Sequence, residues 1–168
     1  MKKTILLFII LMNIFSAIFA QTNAVEKLFS SEIEKSEFKF VSISEKMFGS
    51  ISKSEENNAD VKEVVSNLKG LKVLQTKTNP TDFFNQAKSR FSNSSYEEYM
   101  AMKEKGSNVV FYVSGLNGKY AKELVLMVGS KENTVILDFI GNINLDKISK
   151  LAKAFNLEGA DKLDKLGK

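Results

Sequence analysis

The chain begins with an apolar run that lies between a short positive start and a polar stretch. Lys2 and Lys3 precede the run, which covers residues 4–19 and ends beside the small residue Ala20. This arrangement is typical of a cleavable export signal. A membrane-spanning helix needs about 20 apolar residues, so a retained membrane anchor is the weaker alternative. We expect cleavage after Ala20, no stable membrane anchor afterwards, and a periplasmic or secreted location.

The first half of the expected single domain, residues 21–156, alternates between helical and extended patterns. Apolar residues three and four positions apart predict amphipathic helices. These helical stretches are residues 24–35, 44–51, 60–68 and a fourth that begins at Asn79-Pro80. Asparagine as the N-cap with proline at the first helical position is a common start signal, and Gly70 is the expected end of the third helix. Two strands are predicted between the helices, at residues 38–43 and 71–76.

The second half changes to the two-residue period of strands. Four extended runs follow one another, at residues 99–104, 109–116, 121–129 and 134–141. The turns between them are too short for a crossover helix, so consecutive strands must pair antiparallel as a meander. Asn117-Gly118 is the clearest turn because both residues tolerate the positive φ of tight hairpins. Asn144 is then expected to cap a last helix, and residues 157–168 form a lysine-rich tail.

Both faces of the meander strands are apolar. Val109 and Phe111 point to one face while Val110 and Tyr112 point to the other, and the next two strands repeat this pattern. A sheet with one wet face would alternate apolar and polar residues instead. We therefore predict an α+β fold with an antiparallel sheet of about four to six strands packed against amphipathic helices. Two alternatives stay open: helices cover both faces, or one face forms a groove for a lipid, a peptide or a partner protein.

The composition excludes several kinds of chemistry. The chain has no cysteine and no histidine, which removes disulfides, thiolate and histidine catalysis, and the usual zinc ligands. Loss of residues 1–20 removes two lysines and no acid, which lowers the formal net charge from +4 to +2. Arg90 is the only arginine, and arginine forks are the usual means of nucleic-acid recognition. We expect no cofactor, no metal site and no nucleic-acid partner.

Three segments of the chain resemble a known family. They are FVSISEKMF at residues 40–48, LKGLKVL at residues 68–74, and the meander at residues 109–143. Over roughly residues 25–155 the chain is similar to the secreted Bacteroidetes family known as domain of unknown function 4252. The resemblance implies no activity, cofactor or catalytic residue. Many members resemble lipoproteins, whereas this chain lacks the cysteine they need. Some members are encoded near extracytoplasmic sigma and anti-sigma factors, which implies a link with envelope signalling.

One charged residue, Asp138, lies within an apolar strand. By strand alternation it shares a face with Ile136 and Ile140. A buried carboxylate needs a partner, and burial raises its pKa. Two interpretations stay open: an aspartate at a sheet edge or paired with a lysine, and a residue that binds a ligand or transfers a proton. The candidate binding face comprises Asp138, Tyr112, Ile136 and Ile140.

The other candidates have structural explanations. The adjacent pairs Glu55-Glu56 and Glu97-Glu98 lack the defined separation that glycoside hydrolysis requires of its two carboxyl groups. The phenylalanines at positions 83, 84 and 91 have helical spacing, which indicates a core position rather than an aromatic ligand cage. The lysines at positions 147, 150 and 153 and those of the tail form a basic stripe, which is either a solvated face or a contact to anionic lipid.

The sequence favours a small exported, non-enzymatic protein that binds an envelope protein or an apolar ligand and is associated with envelope signalling. Two other classes stay open, namely a histidine-free hydrolase that acts through Asp or Glu residues, and a structural envelope protein.

Overall fold

The computed structural model describes residues 23–54, 66–104 and 106–147. The helices are α1 (Ala24–Leu28), α2 (Ser30–Ile33), α3 (Glu45–Ser54) and α4 (Pro80–Ser92). The strands are β1 (Phe38–Ser44), β2 (Leu68–Thr76), β3 (Glu97–Glu104), β4 (Ser107–Ser114), β5 (Tyr120–Gly129) and β6 (Thr134–Asn144), followed by a 3-10 turn (Leu145–Lys147). Outside the described residues lie the expected leader 1–20, the pair Glu55-Glu56, most of the helix expected at 60–68, and the segment after Lys147 with its lysines.

The strands form one antiparallel sheet of six strands in the order β1-β2-β6-β5-β4-β3. The meander of β3 to β6 forms as predicted, because its short turns leave consecutive strands antiparallel. The β1–β2 hairpin joins the meander through β2, which pairs with β6 and sets Val73 opposite Leu137. The α+β prediction is therefore confirmed. In this sheet β6 is an inner strand, whereas β1 and β3 are the edges.

A two-residue hairpin turn lies between β4 and β5. Asn117 and Tyr120 exchange two backbone hydrogen bonds, with N···O distances of 2.8 and 3.1 Å. Gly118 has a φ of 58°, but neither Asn117 nor Lys119 enters the left-handed region. The turn was predicted at the right place, and the glycine alone supplies the positive φ, as a type II′ turn requires.

The start of β2 differs from the prediction. Leu68 and Gly70 were expected at the end of a helix, yet both lie in β2, where they pair with Gly141 and Ile140 of β6. Leu68 is also buried in the core. Pairing with an inner strand gives these residues backbone hydrogen bonds and a core position, and such tertiary contacts override a weak local helical preference.

The predicted helix at residues 24–35 is broken into α1 and α2. The break falls at Phe29, whose backbone (φ −132°, ψ 25°) is not helical. Its ring is fully buried and contacts Phe83 and Phe91 at centroid distances of 5.7 and 5.8 Å. The change of direction places this ring in the core. Asn23 caps α1, since its Oδ1 accepts a hydrogen bond from the N–H of Glu26 at 2.9 Å.

Helix α4 begins at Pro80, as predicted. Asn79, however, makes no side-chain cap and has a φ of 45°. The core stripe is confirmed, because all of its apolar side chains are buried. They are Phe83, Phe84, Ala87 and Phe91.

Both faces of the sheet carry buried apolar side chains, as predicted. We call the side covered by α1, α2 and α4 the helix face. Its sheet residues are Leu74, Val110, Tyr112, Val125, Met127 and Ile136. The other side, the opposite face, includes Leu71, Phe111, Val113, Leu124, Leu126, Leu137 and Phe139, with Phe48 of α3 and Leu145 packed into the same cluster. Leu116 was predicted to end the strand at residues 109–116, but it lies outside β4 and is 45% exposed.

In the described ranges, every helix is too short or too polar to cross a bilayer.

Candidate functional site

Asp138 lies in the interior of the sheet. It stands opposite Lys72 of β2 and Val125 of β5, and its side chain is fully buried on the helix face. The Lys72 ammonium bonds instead to Glu26 Oε1 at 3.0 Å and to Ser42 Oγ at 2.7 Å. The interpretation of Asp138 as an edge residue or a lysine partner is therefore wrong, because β6 is flanked on both sides and the lysine opposite Asp138 is bonded to Glu26 and Ser42.

Asp138 binds the beginning of α1 together with a second carboxyl group. Its Oδ2 accepts a hydrogen bond from the backbone N–H of Val25 at 3.1 Å. Glu123 lies two positions before Val125 on β5, and therefore on the same face. Its Oε1 accepts from the N–H of Ala24 at 2.5 Å, and its Oε2 accepts from the hydroxyl of Tyr96 at 2.8 Å. The two carboxyl groups thus hold two consecutive backbone N–H groups.

The electrostatics of this pair require a proton. Burial, and secondarily the neighbouring Glu123, raise the pKa of Asp138 to about 9. The Oδ1 atom of Asp138 is buried and receives no hydrogen bond, yet the side chain lies within hydrogen-bonding range of Glu123. Two ionised carboxylates cannot hydrogen-bond to each other, so a bond between these two side chains requires a proton. Near neutral pH, Asp138 therefore lies in the pair as the protonated acid.

Tyr96 completes the cluster as a neutral donor. Burial, followed by the negative charge of Glu123, raises the pKa of the Tyr96 hydroxyl well above its usual range. The hydroxyl therefore keeps its proton and continues to donate to Glu123. Ala24 and Val25 are fully buried above the two carboxyl groups. In this arrangement the cluster holds the N-terminal segment through its first two helical N–H groups.

The structure places all four residues of the candidate binding face on the helix side of the sheet. Tyr112, Ile136 and Asp138 are buried there, while Ile140 is partly exposed. The ring of Tyr112 stacks on Phe91 of α4 at a centroid distance of 4.6 Å. A ligand at this place would have to displace a helix, so its role as a binding face stays a prediction.

Glu123 and Tyr96 were missed by the sequence analysis, although a signal for Glu123 was available. In the β5–β6 hairpin, Val125 pairs with Asp138 and Glu123 pairs with Ile140. A register drawn from the predicted turn at residues 130–133 brings the two acids within two positions of each other on one face. Nothing in the local sequence marks Tyr96, because its contact depends on how α4 leads into β3.

The remaining candidates do not form a catalytic or metal centre among the described residues. Glu97 and Glu98 are exposed on β3, and Glu98 pairs with Lys88 at 3.7 Å. No group of three or more Asp or Glu residues within the described ranges could hold a metal ion. An open groove of about 390 Å³ lies between α4 and the β3–β4 hairpin. Its lining mixes apolar residues with amides and ammonium groups, among them Asn85, Lys88, Lys103 and Asn108.

One row of the opposite face stays partly exposed. Val135 pairs with Val128, Val128 with Val109, and Val109 with Met102, so these four residues cross β6, β5, β4 and β3. We call this row the valine stripe. All four side chains pack against the core cluster of the opposite face and retain partial exposure. The stripe is therefore an apolar surface that the described elements do not fully cover.

The position of the valine stripe explains its exposure. Among the described elements, α3 and the 3-10 turn pack on the opposite face. Helix α3 follows Ser44 at the end of β1, and the 3-10 turn follows Asn144 at the end of β6. Val135 stands nine residues before Asn144 on β6, which is about 30 Å along a strand. The stripe therefore lies at the far end of the face from both elements.

These features define a small α+β domain with one face closed by helices, a proton-requiring carboxyl pair beneath them, and an apolar row on the other face. The chain belongs to the family described as domain of unknown function (DUF4252), whose model matches residues 29–151. The predicted family resemblance is thereby confirmed. The comparison with curated proteins found no match, and the comparison with solved structures found none either.

Proposed function

We propose that the protein is an exported, non-enzymatic binding module whose valine stripe receives an amphipathic helix of an envelope partner. The observation that carries this proposal is the row of four apolar side chains that stay partly exposed at the end of the sheet away from α3 and the 3-10 turn. Apolar rows that remain accessible on a folded domain are typical of interaction sites. The association with envelope signalling rests on the family resemblance.

The dimensions of the stripe fit a helix. Neighbouring strands lie about 4.8 Å apart, so four strands span about 14 Å. A helix rises 1.5 Å per residue, and about ten residues would cover that length. The surroundings supply a polar rim, since Lys39 and Gln75 continue the row and Lys131 and Glu132 are exposed in the adjacent turn. An apolar centre with a polar rim is the usual composition of a protein interface.

The proposal treats the domain as a binder rather than as a hydrolase. An acid-based hydrolase would need its carboxyl groups in contact with substrate. Asp138 is buried and Glu123 is half-buried, and their oxygens accept hydrogen bonds from backbone N–H groups and from the Tyr96 hydroxyl. A panel of glycoside, ester and peptide substrates tests this part of the proposal. Turnover that is lost in a Glu123→Gln variant would favour the hydrolase.

The binding proposal is tested with three forms of the purified protein: wild type, Val128→Lys and Leu116→Lys. The second variant is the matched control, because it also adds a lysine at an exposed apolar position but lies outside the sheet. A partner captured from envelope extract is purified, and its Kd is measured for each form. We expect equal Kd values for wild type and Leu116→Lys, and a Kd at least tenfold higher for Val128→Lys.

Several outcomes would argue against a partner's helix as the occupant of the valine stripe. A partner that binds Val128→Lys as tightly as wild type uses another surface. Self-association that is lost in Val128→Lys would identify a second copy of the chain as the occupant. Saturable binding of a fluorescent apolar probe without a protein partner would instead indicate a lipid-like ligand.

Export is tested separately from binding. The proposal expects the mature protein to begin at Gln21, because the small residue Ala20 precedes the expected cleavage site. N-terminal sequencing of the protein recovered from the periplasm or the medium checks this. An intact leader on protein that stays with the membrane fraction would support the anchor alternative.

A further inference from the structure

The N-terminal arm, residues 23–33, crosses the helix face as a strap. Its first turn is held by Glu123 and Asp138 through the N–H groups of Ala24 and Val25. Val25 and Phe29 are fully buried and lie in the core cluster of the helix face. The arm therefore closes the core on this side, and its attachment begins at the carboxyl pair.

The docked arm covers Asp138 fully and Glu123 in part. Burial of one ionised carboxylate is costly, and a second one beside it adds repulsion. Glu123 accepts from Ala24 and Tyr96, and Asp138 Oδ2 accepts from Val25. A proton between the acids allows the two side chains to bond to each other as well. Oδ1 of Asp138 is buried and receives no hydrogen bond from the described residues, so loss of the proton would leave a buried charge with few hydrogen bonds.

We propose that the N-terminal arm is a proton-controlled strap, which stays docked while Asp138 and Glu123 share a proton and opens when that proton is lost. Opening admits water to both carboxyl groups and removes the cost of burying them in the ionised form. The same step uncovers the part of the core that Val25 and Phe29 cover when the arm is docked.

The charged groups around the pair do not replace the proton. Lys72 stands opposite Asp138 on β2, but its ammonium is bonded to Glu26 of α1 and to Ser42 of β1. The β3 side contributes the neutral hydroxyl of Tyr96. From β4 the facing residue is Tyr112, opposite Val125, and burial raises the pKa of its hydroxyl as well. Helix α4 contributes Arg90, which is bonded to Glu32 and Leu28 at the other end of the arm.

Proton binding and opening of the arm are linked, and the direction of the pH effect follows from the pKa of Asp138. The docked state binds one proton more than the open state between the ordinary pKa of an aspartate, about 4, and the raised pKa of Asp138, about 9. The equilibrium constant for opening therefore increases as pH rises, by up to about tenfold per pH unit within this window. Below the window both states carry the proton, and the opening constant no longer depends on it.

Hydrogen exchange of the backbone amides tests the strap. Exchange is measured on the purified protein between pH 5 and pH 10, and each rate is divided by the intrinsic rate at that pH. We expect protection in residues 24–33 to fall by up to about tenfold per pH unit, while the amides of α4 keep their protection over the same range. Constant protection of the arm across this range would overturn the proposal.

Two variants and a control identify the groups responsible. In Asp138→Asn, the amide can donate to Glu123 and accept from Val25 without a titrating proton, so we expect the pH dependence to disappear. In Glu123→Gln, the new amide can donate to the carboxylate of Asp138. This variant replaces the first if Asp138→Asn does not fold. Glu26→Gln changes a charge on the arm outside the pair and should retain the wild-type slope. A slope that persists in both amide variants would refute the role of the pair.

Discussion

Arg90 of α4 and Glu32 of α2 form a two-bond ion pair that ties the end of the N-terminal arm to the helix face. The Nη2–Oε1 distance is 2.7 Å and the Nη1–Oε2 distance is 3.0 Å. Nη1 also donates to the carbonyl of Leu28 at 2.8 Å, and the guanidinium lies 5.1 Å from the ring centre of Phe29. The only arginine of the chain therefore has a structural role, since its fork is occupied by a carboxylate.

Replacement of Arg90 by lysine should destabilise the fold. Lysine keeps the charge but cannot form two parallel bonds to Glu32 and also reach Leu28. Because Glu32 is buried, we expect a loss of about 1–2 kcal/mol in the free energy of unfolding, measured by urea denaturation. The matched control is Lys88→Gln, which breaks an exposed ion pair with Glu98 and should cost less than about 0.5 kcal/mol. Equal losses in the two variants would contradict the proposed role of the bidentate geometry.

Acid should weaken the same contact. The hydrogen bonds from Arg90 are the main cause that lowers the pKa of Glu32 from 4.5 to about 2. A depressed folded-state pKa means that the stabilisation is fully present above pH 4.5 and is lost as pH falls through about 2. Urea denaturation between pH 6 and pH 2 should show this loss, and Glu32→Gln should remove most of the slope. A slope that is unchanged in Glu32→Gln would assign the acid sensitivity to other carboxylates.

Gly129→Ala should be destabilising because α4 packs directly on that glycine. A Cβ at this position would collide with the ring of Phe84, which is itself buried. Overpacking of this kind costs about 1–3 kcal/mol, measurable as a lower urea midpoint. The control is Gly49→Ala in α3, where a Cβ would meet nothing within 4 Å. That change should be neutral or stabilising, by up to about 1 kcal/mol, since alanine is the better helix former.

Phe91→Ala should remove the centre of the aromatic cluster between α4 and the sheet. Phe91 is fully buried, stacks on Tyr112 at 4.6 Å and meets Tyr96 edge-on at 5.5 Å. We expect a loss of about 3–5 kcal/mol, which could leave the domain unfolded in a thermal scan. Tyr99→Ala, at a 49% exposed aromatic residue on β3, is the control and should change stability by less than about 0.5 kcal/mol. Similar losses in both variants would show that burial does not distinguish these two positions.

The strand and helix pattern could be predicted because it depends on local periodicity. The two-residue period of the meander and the stripe on α4 each mark a burial direction that a single element reveals by itself. The break at Phe29 and the strand at Leu68 could not be predicted in this way. Both depend on partners distant in sequence, namely the rings of α4 for Phe29 and the backbone of β6 for Leu68.

The candidate site was likewise only partly predictable from the sequence. Asp138 was recognisable because a charge inside an apolar strand is costly. Its partners were not, because Val25 lies 113 residues away in the chain, and Tyr96 reaches Glu123 from the segment just before β3. A sequence pattern cannot specify which backbone N–H groups will satisfy a buried carboxyl group.

The sequence by itself determined the α+β class, the antiparallel meander, its two apolar faces and the core side of α4, since each follows from the spacing of apolar residues and the length of turns. The tertiary structure alone decided which face the helices cover, which row stays accessible, and that the N-terminal arm closes over Glu123 and Asp138. The physical reason is that these features depend on how separate elements pack together. The contacting residues are far apart in the chain, so their contacts leave no periodic signal in the local sequence.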